Sequence, residues 1–175
     1  FFFLFGLDGS GKSTLMKGLV AELDRRQIKS TVTREPGGTP LAEEIRQLLL
    51  RTNAEAPTPR TEVLLYEASR AQHVDRIIRP ALQRNEWVIC DRFTASTVAF
   101  QCFARKLGRE SIDWLNNYAT DGLEPDLVVL LDLTVEESER RRGHREAGTG
   151  VAADRFEQEK GDFHQAVRNG FLQQA

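Results

Sequence analysis

The sequence predicts an α/β fold, a three-layer α/β/α arrangement with a mostly or wholly parallel central sheet flanked by helices. Three observations carry this reading. Short apolar runs alternate along the chain with longer segments of helical period. Two of these runs, Trp87-Val88-Ile89-Cys90 and Leu127-Val128-Val129-Leu130-Leu131, are apolar at every position, as in strands covered on both faces. A glycine-rich turn joins the first apolar run to the first helical segment.

Strands are expected at residues 2–5, 29–33, 87–91 and 127–132. The first helix, 12–25, follows the glycine-rich turn, and the second, 40–50, has Thr39 as N-cap and Pro40 at its first position. A long helix over 61–85 should bend near Pro80, which lacks a backbone donor. Helices over 111–120 and 135–145 come next, and residues 143–150, with three glycines, form the expected mobile segment. A last helix over 154–174 would place Phe156, Phe163, Val167 and Phe171 on one face. The chain opens without a Met in a strand-like run and stops inside a helical one, so a fragment or an incompletely ordered chain is expected.

With 175 residues, one domain is the expectation, and 40% hydrophobic residues suffice for a buried core. A formal charge of −2 argues against nucleic-acid binding by bulk electrostatics, and no apolar run reaches the roughly 20 residues of a membrane span. Cys90 and Cys102 alone suggest no disulfide framework, so a reducing, cytoplasmic setting is expected.

Gly6-Leu7-Asp8-Gly9-Ser10-Gly11-Lys12-Ser13 fits G-x-x-x-x-G-K-[ST] at every fixed position, between an expected strand and an expected helix. The alternative, a glycine-rich turn capped by serine, does not explain that context. Glycines let backbone N–H groups close around phosphates, and the helix start adds its positive dipole end. Lys12 supplies a charge for the β- and γ-phosphates and Ser13 an oxygen for Mg²⁺. A P-loop NTPase fold with an ATP or GTP site follows, with residues 6–14 (through Thr14) as the phosphate cradle.

Asp91 ends an apolar strand and suits the acidic residue that orients the metal, with Asp132 a competitor for that role. Asp91 is preferred because Arg92 follows it. No Asn-Lys-x-Asp stretch marks a guanine site. Arg34, Arg70, Arg92, Arg141, Arg145 and Arg155 all fall in or beside loops or strand ends, a supply of cations suited to phosphoryl transfer between two nucleotides.

Taken together, the elements resemble the thymidylate (dTMP) kinases from residue 1 to about 171. They are the P-loop, then Thr33-Arg34-Glu35-Pro36-Gly37-Gly38-Thr39, then Leu64-Leu65-Tyr66-Glu67-Ala68-Ser69-Arg70-Ala71-Gln72. Asp91-Arg92-Phe93, Ser96, Ala99-Phe100-Gln101, Pro125-Asp126-Leu127, Leu131-Asp132-Leu133-Thr134 and Asp154-Arg155-Phe156-Glu157 complete the set. The resemblance implies one nucleoside monophosphate kinase domain over 1–175, short of the family's last strand and helix, with a mobile lid around 141–155. It implies ATP-dependent conversion of dTMP to dTDP with Mg²⁺, no nucleic-acid or membrane partner, and a homodimer.

The resemblance also implies roles. Asp8 would contact the acceptor sugar's 3′-hydroxyl. Tyr66 and Arg70, four apart on one helix, would stack on thymine and hydrogen-bond a base carbonyl. Ser96 and Thr97 would lie below the base, with Gln101 alongside, and Phe100 would crowd the 2′-carbon. Arg92 and Arg34 would hold the acceptor phosphate. Gly9 leaves the loop without a basic residue, so Arg141 and Arg145, at i and i+4, would serve the phosphates from the lid, as in the bacterial-type subtype. Arg140 and Arg142 would face solvent. The catalytic set is then Asp8, Lys12, Arg92, Arg141 and Arg145. Cys102-Phe103-Ala104 depart from the glycines common there, and Phe5 replaces a common acidic residue. A deoxynucleoside kinase or another nucleoside monophosphate kinase is the alternative. A nucleoside kinase would need a carboxylate base such as Glu35 or Asp91. A nucleotide-gated binding module is a third reading.

Overall fold

The computed structural model describes residues 1–150 and 153–175. Its sheet has four parallel strands: β1 (Phe2–Phe5), β2 (Ser30–Arg34), β3 (Trp87–Asp91) and β4 (Leu127–Leu130), in the order β2-β3-β1-β4. The α/β expectation is met, with a wholly parallel sheet. Alternation along β1 explains its unbroken apolar sequence. Phe3 and Phe5 pack toward Val88, Cys90, Phe93 and Phe171 on one side of the sheet. Phe2 and Leu4 pack with Ile89, Met16 and Leu23 on the other. On β4 the expectation fails. Leu127 and Val128 are 57% and 41% exposed because β4 is the sheet edge, and the strand ends at Leu130 rather than 132.

Eight α-helices surround the sheet among the described residues: α1 (Lys12–Arg25), α2 (Pro40–Leu50), α3 (Pro59–His73), α4 (Arg79–Gln83), α5 (Thr94–Thr97), α6 (Arg109–Thr120), α7 (Val135–Thr149) and α8 (Gly161–Leu172). The Thr39 hydroxyl accepts from the Ala42 N–H and caps α2, as expected, a contact worth about 1 kcal/mol. The long helix runs from Pro59 to Gln83, but the irregularity precedes Pro80. Val74–Ile78 forms a π turn in which the Arg79 N–H donates to the Val74 carbonyl. That wider turn accommodates a ring that has no N–H and crowds the carbonyl four residues back.

Three other expectations need correction. Thr94–Ala104 was not expected to be helical, yet α5 runs into a second π turn, Val98–Ala104. Burial overrides its β-branched and aromatic composition: Val98 and Ala99 are buried, and α8 lies against it so closely that a Cβ on Gly170 would sit 2.9 Å from Ala99 Cα. The last helix begins at Gly161, not 154, because the Asp154 carboxylate accepts from the Phe156 and Glu157 N–H groups and holds a turn. The helix expected to end at 145 runs on to Thr149, through the segment expected to be mobile, and Gly150 at φ +66° closes it. Val151 and Ala152, inside the expected lid, lie outside the described residues.

The strand order puts the β1–α1 turn at the carboxyl ends of the sheet, where the connections diverge to either side, the usual ligand crevice of open α/β sheets.

Candidate active site

The β1–α1 turn can form only with glycine at its first position. Gly6 has φ +145°, and a Cβ there would lie 2.4 Å from the Leu131 carbonyl oxygen. Lys12 is buried at the start of α1 and folds back on its own loop. Its Nζ donates to the Gly6 and Leu7 carbonyls at 3.1 and 3.0 Å and stands 4.0 Å from Asp8. Burial, reinforced by the Arg92 charge, lowers the Lys12 pKa to about 8. Ser10 Oγ is buried without a partner, whereas Ser13 and Thr14 are exposed at the mouth of the turn.

Arg92 follows β3 with φ +69°, a left-handed conformation that a non-glycine residue seldom adopts. The turn aims its Nη2 at Asp8, where it donates to Oδ1 at 2.9 Å. Burial would raise the Asp8 carboxyl, but Arg92 and Lys12 outweigh it and hold the pKa at about 2. Burial would likewise lower the Arg92 guanidinium, and Asp8 and Asp91 raise it. Arg92 Nη1 is buried without a partner, and its guanidinium lies 5.2 Å from the centre of the Phe100 ring.

A hollow opens beyond Asp8 and Arg92, lined by Tyr66, Arg70, Ser96, Thr97, Phe100 and Gln101, and also by Glu35, Pro36, Arg46, Leu50, Phe93, Asp154 and Phe156. All the residues expected around the acceptor base therefore meet there. Arg70 is fixed on every side but one. Its Nε donates to Glu35 Oε2 at 2.8 Å, and its Nη1 is within 2.9 Å of Glu67, Thr97 and Asn116. Phe93 packs against the guanidinium at 5.4 Å. Burial works against the Arg70 charge, but Glu35 and Glu67 dominate and raise its pKa. Glu35 is held in turn by His73 Nδ1 at 2.9 Å, and the other ring nitrogen meets Thr33 Oγ1 at 2.6 Å. Tyr66 is half-buried and packs against Phe156, and burial pushes its phenol pKa up. Ser96 Oγ is buried without a partner.

Arg34 is not brought into this hollow. It lies half-exposed on the other side of the β-sheet ends, bonded to both oxygens of Glu43, beside Ser13 and Asp91. Asp91 Oδ1 is buried and unpartnered, so Ser13 and Asp91 offer two oxygen donors to one space. That fits a magnesium ion, which keeps several waters and takes further oxygens from phosphates rather than a protein cage. No group of three His, Cys, Asp or Glu with metal-holding geometry occurs among the described residues. Asp132 pairs with Arg168 and is already engaged.

From α7, Arg141 Nη1 donates to the Gly9 carbonyl at 3.1 Å. A Cβ on Gly9 would lie 3.1 Å from Arg141 Cβ, so the arginine occupies the space that a loop side chain would need. Arg145 pairs with Glu157, which raises its pKa. Arg140 is exposed as expected, but Arg142 is buried and donates to the Glu157 carbonyl at 2.8 Å. α7 turns Arg142 toward α8 and His164 rather than toward water.

Sequence reasoning missed Arg46, Asp154, Phe156 and the buried partners Glu62, His73 and Asn116. Arg46 Nη1 donates to the Pro36 carbonyl, and burial lowers its pKa. Asp154 and Phe156 lay in quoted motifs but carried no assigned role. Arg155, counted among the arginines near loops, turns away and pairs with Glu62.

Comparison with known proteins agrees with this geometry. The family profile described as thymidylate kinase matches residues 5–175. The chain is 58% identical over 170 residues to a thymidylate kinase of Bdellovibrio bacteriovorus, covering 97% of this chain and 79% of that protein. It is 48% identical over 172 residues to one from Geotalea daltonii, covering 97% and 80%. The crystal structure of thymidylate kinase from Ehrlichia chaffeensis superposes with a TM-score of 0.75 at 31% identity, covering 99% of this chain and 85% of that one.

Proposed function

Since the chain belongs to the thymidylate kinase family and is a phosphotransferase acting on dTMP with ATP, we propose that its two sites meet at the Asp8–Arg92 pair. That pair is the observation that carries the reading: a carboxylate of the phosphate loop is also a wall of the base hollow. Residues 6–14 would cradle the ATP phosphates, and Tyr66, Arg70, Ser96, Thr97, Phe100 and Gln101 would hold the dTMP base and sugar. Ser10 Oγ, Arg92 Nη1 and Ser96 Oγ, all buried without partners, are groups a nucleotide would satisfy. The 3′-hydroxyl would donate to Asp8, which stays a carboxylate acceptor at neutral pH because its pKa is held at about 2.

The acceptor phosphate is already anionic, so no side-chain base is needed. One of its oxygens attacks the γ-phosphorus, the bond to the β–γ bridging oxygen breaks, and dTDP and ADP result. Lys12 would leave its loop carbonyls for the phosphates, and Arg92, Arg141 and Arg145 would balance the oxygens gathered there. A magnesium ion held by Ser13 and Asp91 would neutralise charge on the donor phosphates. Arg34 would act from that same side, toward phosphate rather than base. Of the two bases a nucleoside kinase could call on, Glu35 has both oxygens engaged by Arg70 and His73, and Asp91 lines the Ser13 side rather than the hollow, which favours the monophosphate reading.

Closure of the 141–155 segment as a lid, supplying Arg141 and Arg145 in the manner of the bacterial-type subtype, belongs to the same proposal. So does a homodimer, supported by Leu64, Trp114 and Tyr118, apolar and more than half exposed on α3 and α6. No helix among the described residues is long and apolar enough to cross a membrane. A coupled ADP-release assay with ATP and Mg²⁺ tests the assignment. dTMP should far outpace thymidine, dUMP, CMP and UMP, and equal rates with thymidine would overturn it.

A further inference from the structure

Glu62 is fully buried, yet none of the roles above uses it. It stands on the α3 stripe that carries Tyr66 and Arg70, one and two turns earlier. Its Oε1 accepts from Gln101 Nε2 at 2.8 Å and from Arg105 Nε at 3.3 Å. Its Oε2 faces Arg155 Nη2 at 2.8 Å and Arg105 Nη2 at 3.4 Å. A carboxylate set against two guanidiniums has no hydrogen to donate. Gln101, itself 1% exposed, can therefore meet Glu62 only with its NH₂ end. The planar amide then turns Oε1 the other way, to the hollow that Gln101 lines. Gln101 contributes an acceptor to that hollow and Arg70 contributes only donors.

We propose that Glu62 is a positioning residue that fixes the Gln101 amide. It thereby makes the hollow select pyrimidines with an N3–H and a 4-carbonyl over those with an N3 lone pair and a 4-amino group. The inference rests on reading the hollow as the acceptor-base site. Thymine and uracil satisfy both groups at once: N3–H donates to Gln101 Oε1, and O4 accepts from Arg70. Cytosine opposes both, lone pair against oxygen and amino group against guanidinium, and a buried mismatch of that kind is costly. The 5-methyl group has no part in the device, which treats dTMP and dUMP alike.

The test compares kcat/KM for dTMP, dUMP and dCMP in the unmutated chain, Glu62→Gln and Gln101→Leu. A carboxamide at position 62 can donate or accept, so Gln101 becomes free to turn over. Glu62→Gln should lower the dTMP/dCMP ratio by about tenfold or more while the dTMP/dUMP ratio stays within about twofold. A purely structural role would reduce all three acceptors together, leave both ratios in place and overturn the proposal. Gln101→Leu should also collapse the dTMP/dCMP ratio, and if it does not, the reading of the hollow fails first. Collapse with Gln101→Leu but not with Glu62→Gln overturns the part given to Glu62 alone. Should Glu62→Gln fail to fold, nitrogen-15 spectra of the unmutated protein decide. A Gln101 side-chain proton protected from exchange supports the clamp, and two freely exchanging protons refute it.

Discussion

Arginine is used in opposite ways at the two ends of the site. In the base hollow, Arg70 is 2% exposed and locked by Glu35, Glu67, Thr97 and Asn116. On the phosphate side, Arg141 and Arg145 are each 44% exposed and pair with glutamates of α7 and of the turn before α8. The difference follows from solvation. A buried charge is tolerable only when its partners are complete, so the Arg70 network resists rearrangement. Exposed ion pairs contribute roughly 0–1 kcal/mol, so Arg141, paired with the 29% exposed Glu137, can exchange a carboxylate for a phosphate at little cost. Arg145 reaches solvent but its partner Glu157 is only 8% exposed, so its exchange costs more. Reading a base needs a fixed donor, whereas following a transferring phosphoryl group needs cations that can change partners.

The sharpest way to break this contrast is on the phosphate side. Lys12→Ala should lower turnover by about 10³-fold or more with the fold retained, since the lost charge acts on the transferring group. Near-normal turnover in the coupled assay would remove Lys12 from the chemistry. Arg145→Ala should cost about 10²-fold in kcat with a much smaller change in ATP affinity. Arg141, already against the Gly9 carbonyl, should limit that loss, and the double variant should exceed either single one. Equal effects on kcat and affinity would place these arginines with the static charges instead.

On the hollow side the signature reverses. Arg70→Ala should raise KM for dTMP by about 10²-fold while KM for ATP changes little. It should also lower thermal stability, because Glu35 and Glu67 lose their shared cation inside the protein. Arg141→Ala, whose partner Glu137 is 29% exposed, should leave the melting temperature nearly unchanged. If both variants shifted stability equally, the division between fixed and exchangeable arginines would not hold.

The same division explains what could be read from the sequence. The phosphate loop was legible because its chemistry depends on spacing within eight residues. Tyr66 and Arg70 were legible through the family resemblance, with the spacing of four adding only that they share a helix face. The supports of Arg70 were not: Glu35, Thr97 and Asn116 lie 35, 27 and 46 residues away and meet it only through the fold. The contact between Gln101 and Glu62, 39 residues apart, was hidden for the same reason. Arg142 was misread because helix α7 is polar on almost every side, so nothing local marked the turn that faces α8. The helical segment at 94–104 escaped because its Thr, Val and Phe residues favour strands, and only packing under α8 reverses that preference.

The smallest expected effect is one of pH, and it tests whether the phosphate side carries a tunable charge at all. Burial and Arg92 lower the Lys12 pKa from 10.5 to about 8. The lysine is therefore charged at neutral pH and loses its charge as pH rises through about 8. kcat/KM for ATP should fall about tenfold per pH unit above that point. Phosphates restore the proton, so ATP binding near pH 9 should take up one proton, measurable by calorimetry in buffers of different ionisation heat. Folding linkage has the opposite sign. Between about 8 and 10.5 the folded lysine holds fewer protons than the unfolded one, so its contribution to stability rises with pH while activity falls. An alkaline loss of activity with unchanged or higher melting temperature thus assigns the limb to Lys12, whereas a parallel fall in both would assign it to unfolding.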